Sequence, residues 1–350
     1  MREVTIGRFT VGGSRPPLVV AEAGINHNGD VGRAVAMIGA ARTAGCDAVK
    51  FQTFRADGIV TDARLTYTYR SQGREVTEPQ LDLFRRCELS AAQFKTLRTA
   101  CDDAGVLFLS TPQNRSDLDL LRAIGVEAIK VGSDDFTNLP LIGSYAETGL
   151  PLILSCGMAD LGEIYRTLEV AGAFDGAPVI LLYCVSQYPT PPDQVHLNKL
   201  VTLRRTFPGL PLGFSDHTEG PLASALATVL GACLLEKHFT LDHDLPGPDH
   251  WFSEDPEGLG RWVSGIRTAW VMRGSGLLRP GPAEREMRGL ARRSIVALAD
   301  IEAGAELTVE TVGLRRPGTG LAAALLPEVL GRRAVRPLAR GTHLGFGDFR

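Results

Sequence analysis

The chain has 350 residues, and at about 100–200 residues per domain this length suggests one large domain and one small one. Its 37 Lys and Arg against 40 Asp and Glu give a formal net charge of −3. This balance disfavours a nucleic-acid-binding protein, because such proteins need a concentrated basic surface. With 44% hydrophobic and 22% charged residues, the composition is that of a globular protein and lies outside the disordered range.

The cysteines and the hydropathy pattern indicate the compartment. Six cysteines are scattered without a CxxC pair, which fits neither a disulfide framework nor a zinc cluster. The N-terminus has no apolar segment typical of a signal peptide. The longest apolar stretch, residues 221–235, is shorter than the roughly 20 residues of a membrane span. We therefore expect a cytoplasmic protein with reduced thiols and no membrane partner.

Short β-rich apolar runs alternate with helical patterns over most of the chain. The predicted strands are 18–22, 48–52, 106–110, 128–131, 152–155, 179–183, 212–215 and 233–237. The predicted helices are 32–44, 91–104, 116–124, 139–148, 161–171, 221–230 and 256–272. Eight strand–helix units predict an α/β protein with a (β/α)₈ TIM barrel, which typically takes about 250 residues. A doubly wound sheet is the alternative, although it usually has about six strands and would not account for all eight strand–helix units.

The amino-acid composition changes near Gly274, where the alternation of strands and helices ends. We assign residues 1–273 to the barrel, the Gly- and Pro-rich residues 274–288 to a linker and residues 289–350 to a second domain. The second domain contains one internal duplication, which predicts a small pseudo-symmetric module. Its matched positions are Ile301 with Leu338, Gly304 with Gly341, and Leu307 with Leu344. A domain of about 60 residues buries little surface, so we expect it to lean on another surface.

Polar side chains follow the predicted strands, at the end where barrel enzymes place their active sites. Three of the chain's five lysines lie there, namely Lys50, Lys130 and Lys237. Lys50 and Lys130, with serines nearby, predict an anionic ligand held by point charges; the alternative is that such lysines reach solvent or pair with a carboxylate. Lys237 must point away from both of its neighbours because strand side chains alternate, so we give it a structural role.

Two histidines close adjacent predicted strands, His217 in an SDH sequence and His238 in an EKH sequence. Their imidazoles, with nearby carboxylates, predict a divalent cation with open positions for water and substrate. The alternative for each is a structural histidine whose hydrogen bonds are satisfied. His27 and His250 are weaker candidates for the rim. The turn containing Arg315 and Arg316 is, on local grounds alone, a solvated basic turn.

Taken together, these motifs resemble the sialic acid (N-acetylneuraminate) synthase family. The matching strings are AEAGINHNGD, AVKFQ, LSTP, IKVGS, LSCGM, SQYPTP, GFSDHT, EKHFTLD and GPDH. The C-terminal part resembles the family's antifreeze-like SAF domain, a β-clip-type fold. The strings there are ARRSIVA, DIEAGAELT, RRPGTG and LARGTHL. The resemblance covers nearly the whole chain in the right order.

The resemblance implies an enzyme that condenses phosphoenolpyruvate with an open-chain N-acylated aminosugar, typically N-acetylmannosamine, and releases phosphate. By position, the residues implied for phosphoenolpyruvate are Lys50, Lys130, Ser133, Ser155, Ser186 and Ser215. Those implied for the sugar are Glu22, Gln52, Thr111, Tyr188 and Asp249. His217 and His238 would hold Mn²⁺, with Mg²⁺ or Co²⁺ as alternatives. Arg316 would reach the sugar of a neighbouring subunit in a domain-swapped homodimer, and Glu22 is the candidate for moving protons.

Two departures from the family pattern keep every charge and metal ligand. The family's CTN or CTS stretch is Cys184-Val185-Ser186 here, and its STGM is SCGM, with Cys156 as the changed residue. The sugar remains open: the nearest alternative is a legionaminate or pseudaminate synthase that uses a 2,4-diacetamido-trideoxyhexose. Another phosphoenolpyruvate-dependent aldose-phosphate synthase would need a second anion site. A non-catalytic carbohydrate-binding protein would have no need of a histidine pair.

Overall fold

The computed structural model describes all 350 residues. The chain forms two compact units, Met1–Gly274 and Ser275–Arg350, and each has a hydrophobic core of its own. The division falls at the glycine where the sequence predicts the linker to begin. None of the helices combines the length and the apolar character that crossing a membrane requires. All six cysteines are free and buried.

The strands of the first unit are β1 (Glu3–Ile6), β2 (Phe9–Gly12), β3 (Leu18–Gly24), β4 (Ala48–Thr53), β5 (Thr66–Ser71), β6 (Arg74–Pro79), β7 (Leu107–Pro112), β8 (Ile129–Val131), β9 (Leu152–Ser155), β10 (Val179–Cys184), β11 (Leu212–Asp216) and β12 (Leu234–His238). Its helices are α1 (Val31–Ala44), α2 (Ala56–Ile59), α3 (Gln80–Cys87), α4 (Ala91–Ala104), α5 (Arg115–Ala123), α6 (Leu139–Ala146), α7 (Leu161–Val170), α8 (Asn198–Thr206), α9 (Leu222–Val229) and α10 (Pro256–Arg273).

Eight of these strands, β3, β4 and β7 to β12, form one parallel sheet. Within this sheet, neighbouring strands are consecutive in chain order. The last strand, β12, pairs with the first, β3, and His238 lies opposite Glu22. Strands β7 and β8 lie side by side, so the sheet is nearly closed. This confirms the predicted TIM-type (β/α)₈ barrel. A doubly wound sheet is excluded, because its strand order reverses at a switch point.

Alternation of side chains along the strands produces two apolar layers. Val19, Val49 and Phe108 belong to the layer that packs against the helices. Their neighbours Val20 and Leu109 belong to a separate core that also includes residues of the β1–β2 hairpin. That hairpin pairs antiparallel and contributes three buried residues, Val4, Ile6 and Val11. Because apolar side chains fill this inner core, room for a polar ligand exists only where the strand ends are polar.

Every strand and helix predicted for the barrel is present, with ends within two residues of the prediction. Capping chemistry explains the accuracy at several helices: Ser90 and Gln93 form a reciprocal capping box at the start of α4, and Gly45 ends α1 in the left-handed conformation. Helix α8 was not predicted. Its N-cap position is Leu197, which supplies no side-chain hydrogen bond, so the usual start signal is missing.

The segment between β4 and α4 also went unpredicted. It contains α2, the antiparallel hairpin β5–β6 and α3. The hairpin turns at Gln72 and Gly73, both with positive φ, and most of its residues are exposed on both faces. In β5 only Tyr67 and Tyr69 alternate with polar residues, and in β6 Val76 is the one large apolar residue before Pro79. This alternation is too short to predict two strands.

The second unit contains α11 (Pro282–Ala291), β13 (Ser294–Ala297), β14 (Val312–Arg315) and α12 (Leu326–Val329). Helix α11 overlaps the segment predicted to be a linker. Pro282 stands at its first turn, and the backbone N–H of Gly281 donates to Glu284 at 2.8 Å. Both are helix-start signals, so the irregular composition of this segment concealed a helix.

The internal duplication is visible as hydrogen bonds related by a pseudo-twofold axis. Ile301 and Leu338 exchange two backbone hydrogen bonds of 2.8 Å. The N–H of Gly304 donates to the carbonyl of Ala334, and the N–H of Gly341 donates equivalently to Ala297. The two repeats therefore pair with each other around one small core, as the predicted pseudo-symmetric module requires.

Candidate active site

A cavity of about 430 Å³ opens at the carboxyl ends of the barrel strands. This is the end at which barrel enzymes carry their active sites. Twelve of the fourteen predicted site residues line it: Glu22, Lys50, Gln52, Thr111, Lys130, Ser133, Ser155, Ser186, Tyr188, Ser215, His217 and His238. The barrel thus brings together side chains that lie up to 216 positions apart in the sequence.

A buried ion cluster forms the floor of the cavity. Lys50 Nζ lies 2.8 Å from Glu22 Oε2 and 3.7 Å from Glu236 Oε2, and it donates to Thr111 Oγ1 at 3.2 Å. Lys130 Nζ lies 3.6 Å from Glu236 Oε1. The carboxylate of Glu236 therefore lies between the two ammonium groups and holds them at one place.

Serine hydroxyls complete this floor. Lys130 Nζ donates to Ser155 Oγ at 2.8 Å, and Ser215 Oγ donates to Glu236 Oε1 at 2.9 Å. Each of these four residues is at most 5% exposed. Buried charges this far from water are stable only when they are paired and hydrogen-bonded, and here every one of them is.

The two carboxyl groups of the floor have different pKa values. Burial raises the pKa of Glu22 to about 7, against the opposing attraction of Lys50. Burial also acts to raise the pKa of Glu236, but Lys130, Lys50 and the hydroxyl of Ser215 outweigh it and lower the value to about 2. Near neutral pH the floor therefore has one permanent carboxylate and one carboxyl that exchanges its proton easily. Burial lowers the pKa of Lys130, whereas Glu22 and Glu236 outweigh burial and raise the pKa of Lys50. The lysine side chains of the floor can therefore attract an anion.

A pair of hydroxyls lies beside Gly157. The backbone N–H of Gly157 donates to Ser133 Oγ at 3.0 Å, while Ser186 Oγ is buried with no hydrogen-bond partner in the protein. A Cβ atom at position 157 would come closer than 3.0 Å to both hydroxyl oxygens. Glycine is therefore required for this arrangement, and the unpartnered hydroxyl of Ser186 is free to bind a ligand oxygen.

The imidazoles of His217 and His238 lie with their ring centroids 5.6 Å apart. His217 Nδ1 is 2.7 Å from the carbonyl oxygen of Val185, so it carries the proton and leaves Nε2 as a free acceptor. His238 Nδ1 is buried without a hydrogen-bond partner. No group of three or more His, Cys, Asp or Glu is arranged to hold a metal ion. The donors present therefore fit an ion that takes two imidazole nitrogens and fills its other positions with ligand or water.

Two predicted residues do not line the cavity. Asp249 lies beside it, with a carboxylate oxygen 3.9 Å from His238 Nδ1, and burial raises the pKa of this carboxyl to about 6. Arg316 belongs to the second unit, in the turn after β14, where the N–H of Gly318 donates to the carbonyl of Gly289. Arg316 is therefore a residue of the second unit and is not among those that line the cavity.

His27 and His250 are not rim residues, contrary to expectation. Both are buried, at 0% and 1% exposure. His27 Nδ1 accepts from the N–H of Gly29 at 3.0 Å, and His250 Nδ1 lies 2.7 Å from Thr240 Oγ1. Neither imidazole is among the residues that line the cavity, and the hydrogen-bonding contacts of both are to residues of the loops around them.

The structural role predicted for Lys237 is supported by its contacts. Its side chain points away from the cavity and is 2% exposed. The ammonium lies 3.3 Å from Asp216, 3.8 Å from Glu254 and in hydrogen-bonding contact with the carbonyl of Thr218. Lys237 thus ties the end of β12 to the end of β11, the two strands that carry the histidines.

Glu236 is the main site residue that the sequence prediction missed. The signal was present, because the alternation that turns Lys237 outward places Glu236 and His238 on the inner face. Gln113 and Asp134 were also missed, although each lies three residues after the end of a predicted strand. Tyr67 lines the cavity from the β5–β6 hairpin, and no pattern in the sequence indicated that this hairpin exists.

Comparisons with known proteins agree with the geometry. Residues 37–277 match the NeuB family and residues 292–350 match the SAF domain. The N,N'-diacetyllegionaminic acid synthase of Legionella pneumophila is 39% identical over 337 residues, covering 95% of this chain and 94% of that protein. The mouse N-acetylneuraminate-9-phosphate synthase is 30% identical, covering 89% of this chain and 86% of its own length.

A solved structure is similar as well. The N-acetylneuraminic acid synthetase of Leptospira borgpetersenii, in complex with citrate, has a TM-score of 0.74 and 32% identity, covering 82% of this chain and 95% of that chain. The named relatives make sugars of the nonulosonic acid class. The chain therefore belongs to the NeuB family of nonulosonate synthases and has a SAF domain at its C-terminal end.

Proposed function

We propose that this chain condenses phosphoenolpyruvate with an open-chain N-acylated aminosugar and water, giving a nine-carbon α-keto acid sugar and phosphate. The observation that carries the proposal is the buried pair Lys50 and Lys130 at the floor of a cavity rimmed by serines. Two buried ammonium groups that share one permanent carboxylate suit a small, highly charged anion. Phosphoenolpyruvate offers both a carboxylate and a phosphate to such a site.

The two lysines would hold the anionic ends of phosphoenolpyruvate with its C3 atom facing the aldehyde of the sugar. The hydroxyls of Ser133 and Ser186, which converge beside Gly157, would bind further ligand oxygens. Ser155 and Ser215 hold Lys130 and Glu236 in place and border the same space. The lysines and serines would contribute to the reaction rate mainly by positioning the reactants, because a correctly oriented pair of reactants reacts as if at very high concentration.

The reaction joins C3 of phosphoenolpyruvate to C1 of the sugar, and positive charge develops at C2. Water adds at C2, and phosphate leaves by cleavage of its C–O bond. Glu22 would transfer protons; support comes from its carboxyl on the cavity floor and its pKa of about 7, which allows both forms at neutral pH. Gln52 Nε2, 3.4 Å from Glu22 Oε1, would orient that carboxyl and contact the sugar.

His217 and His238 would hold a divalent cation, Mn²⁺ in the first place and Mg²⁺ or Co²⁺ as alternatives. When bound, such an ion would polarise the aldehyde oxygen and make C1 electrophilic. The proposal is supported by the free Nε2 of His217 and the unpartnered Nδ1 of His238. Asp249, close to His238, would contact the sugar.

For the sugar we favour a 2,4-diacetamido-2,4,6-trideoxyhexose. Support comes from the relatives: the proteins of Legionella pneumophila and Campylobacter jejuni named N,N'-diacetyllegionaminic acid synthase are 39% and 36% identical. N-acetylmannosamine is the second candidate, favoured by the similarity to the Leptospira synthetase. Thr111 and Tyr188 would contact the sugar in either case. A sugar phosphate is disfavoured, because Lys50 and Lys130 are the only Lys or Arg that line the cavity.

We further propose that the tail acts on a second copy of the chain in a domain-swapped homodimer, where Arg316 would reach the sugar. Charge supports this pairing. Residues 275–350 contain 12 Arg and 8 Asp or Glu, while residues 1–274 contain 25 Lys or Arg and 32 Asp or Glu. A basic tail and an acidic barrel attract each other. The six free, buried cysteines suit a reaction carried out in the cytoplasm.

The test is phosphate release from phosphoenolpyruvate across a panel of aldoses, with and without Mn²⁺. The panel contains N-acetylmannosamine, its 6-phosphate and 2,4-diacetamido-2,4,6-trideoxyhexoses, and the control omits the sugar. We expect release only with an N-acylated aminosugar, fastest with the diacetamido sugars. Sugar binding without phosphate release from any member would instead support a non-catalytic carbohydrate-binding protein and overturn the proposal.

A further inference from the structure

The cavity changes character between its floor and its mouth. The floor is charged and buried: Glu22, Lys50 and Lys130 are 2–4% exposed. The mouth is open and carries apolar side chains, with Ile59 37% exposed and Met158 74% exposed, alongside the exposed carboxylate of Asp134. A substrate whose reacting end reaches the floor can therefore extend past these apolar side chains, although Gln113 and Asp134 also line the cavity.

One wall of the mouth is built by α2 and α3. Ile59 is the last residue of α2, and Phe84 of α3 lines the cavity beside it. Phe84 packs edge-on against Phe54, with ring centroids 5.5 Å apart. The N–H of Ala56 donates to Glu88 Oε1 at 2.6 Å, which fixes the start of α2 to the end of α3. The wall is therefore held in place before a ligand arrives.

No Lys or Arg lines the cavity besides the two lysines of the floor. A phosphate at the far end of the sugar would have no cationic partner among the residues of the same barrel. A hydroxyl pressed against Ile59 would lose hydrogen bonds to water without replacement. A methyl group at that place would instead bury apolar surface against an aliphatic side chain.

We infer that Ile59 is a specificity-determining residue that selects a sugar with a methyl group at C6 over one with a hydroxymethyl group. The inference rests on the proposed condensation, in which C1 of the open-chain sugar reacts at the floor. The opposite end of a six-carbon chain then lies toward the mouth. Tyr67, stacked on Tyr69 with centroids 5.6 Å apart, forms the adjoining part of the same apolar rim.

The test uses two sugars that differ only at C6: a 2,4-diacetamido-2,4,6-trideoxyhexose and its analogue with a hydroxyl on that carbon. The measured quantity is the ratio of their kcat/KM values. We expect the wild-type chain to favour the deoxy sugar by about 10- to 100-fold, the range that apolar pockets reach for such small differences. Ile59→Thr should lower the ratio at least about fivefold, raise KM for the deoxy sugar and leave KM for phosphoenolpyruvate unchanged.

Two variants make the comparison specific. Ile59→Val keeps an aliphatic side chain and should retain most of the preference. Val35→Thr, at an α1 position that is 38% exposed and lies outside the cavity lining, introduces the same hydroxyl elsewhere and should leave the ratio unchanged. This control separates a contact with the sugar from a general loss of stability.

The outcomes distinguish the role of Ile59 from the proposed condensation on which it rests. Equal use of the two sugars by the wild-type chain, or an unchanged ratio in Ile59→Thr, overturns the role of Ile59 and leaves the condensation intact. Failure of both sugars to promote phosphate release, together with failure of the wider aldose panel, overturns the condensation and with it this inference.

Discussion

Lys50 on β4 and Glu22 on β3 face each other across neighbouring strands, with Nζ 2.8 Å from Oε2. The pair is buried, and burial raises the pKa of Glu22 to about 7. An anion that binds Lys50 competes with this carboxyl for the same ammonium group. The floor of the cavity thus couples the arrival of a charged ligand to the protonation of the group beside it.

Replacing Lys50 or Lys130 by Met should weaken phosphoenolpyruvate binding far more than sugar binding. Each substitution removes charge-assisted hydrogen bonds worth about 1.5–3 kcal/mol, or roughly 10- to 100-fold in KM. Lys130→Met should also lower the melting temperature, because Glu236 keeps only one of its two ammonium partners. Steady-state phosphate release with each substrate varied in turn measures both KM values. Parental phosphoenolpyruvate affinity in both variants would show that the anion lies elsewhere.

Gly157→Ala should impair phosphoenolpyruvate binding while the fold survives. The added Cβ would displace the hydroxyls of Ser133 and Ser186, and we expect KM for phosphoenolpyruvate to rise about tenfold for one lost hydrogen bond of typical strength. Gly39→Ala on α1 is the matched control, because nothing lies within 4 Å of its Cβ position. Calorimetric titration with phosphoenolpyruvate compares the two variants. Equal affinities in the two variants would refute the role of the hydroxyl pair.

Activity should depend on a divalent metal held by His217 and His238. Exhaustive chelation should abolish phosphate release, and Mn²⁺ should restore it. His217→Ala combined with His238→Ala should not be restored by Mn²⁺ and should bind the ion at least about tenfold more weakly, as expected when ligands are lost. Electron paramagnetic resonance of free Mn²⁺ measures that affinity without turnover. Full turnover after chelation or in the double variant would contradict the metal site.

The tail should complete the active site of another copy of the chain. Arg316→Ala should weaken use of the sugar and leave phosphoenolpyruvate binding largely intact, since the planar guanidinium suits an N-acyl carbonyl oxygen. Mixing the Arg316→Ala protein with a Glu22→Ala protein should restore part of the activity. A mixed dimer would contain one site with both residues present.

Subunit exchange must be measured in the same mixture, for example by mass spectrometry of differently labelled chains. Verified exchange without any return of activity would rule out the swapped arrangement. Unchanged kinetics of Arg316→Ala alone would indicate that the turn after β14 is a solvated basic turn, as its local sequence suggests.

Stability should fall in mild acid because of His27. Burial lowers the pKa of this imidazole from 6.5 to about 4, with Arg33 adding to the effect. As the pH falls from 6.5, the unfolded chain takes up a proton that the folded chain accepts only near pH 4. The free energy of unfolding therefore decreases across that window, by up to about 3 kcal/mol from this one residue.

Urea unfolding at several pH values within that window measures the slope. His27→Gln should flatten it, whereas His196→Gln, which removes an exposed histidine, should leave it as in the parent chain. An identical slope in His27→Gln and the parent would mean that other groups govern the acid sensitivity.

The barrel and most of the cavity could be predicted from sequence because their signals are local. Each barrel strand is a short apolar run, and the polar residues of the site lie within it, as Lys50 does in β4, or shortly after it, as His217 does after β11. The same alternation turned Lys237 outward correctly, and applied to Glu236 it would have identified the carboxylate between the two lysines. The alternation of side chains along β12 therefore contained the information that identifies Glu236.

Other features depend on tertiary contacts that no local pattern encodes. The β5–β6 hairpin has no buried face, and Tyr67 reaches the cavity only because the hairpin lies over it. His27 and His250 sit in polar sequences, yet their loops fold inward and bury them. In the tail, the internal duplication predicted that the two repeats pair, as they do through Ile301 and Leu338. Helix α11 was not predicted, because the glycines and prolines around it are typical of a linker.

The placement of the lysines has a practical consequence for chemistry on the whole protein. Lys50, Lys130 and Lys237 are buried, whereas Lys95 and Lys199 are exposed. A bulky amine-reactive label therefore meets only two lysine side chains and the N-terminal amine on the folded chain. Both exposed lysines lie on outer helices, α4 and α8, so a fluorophore or a surface coupled through them leaves the cavity open to small molecules.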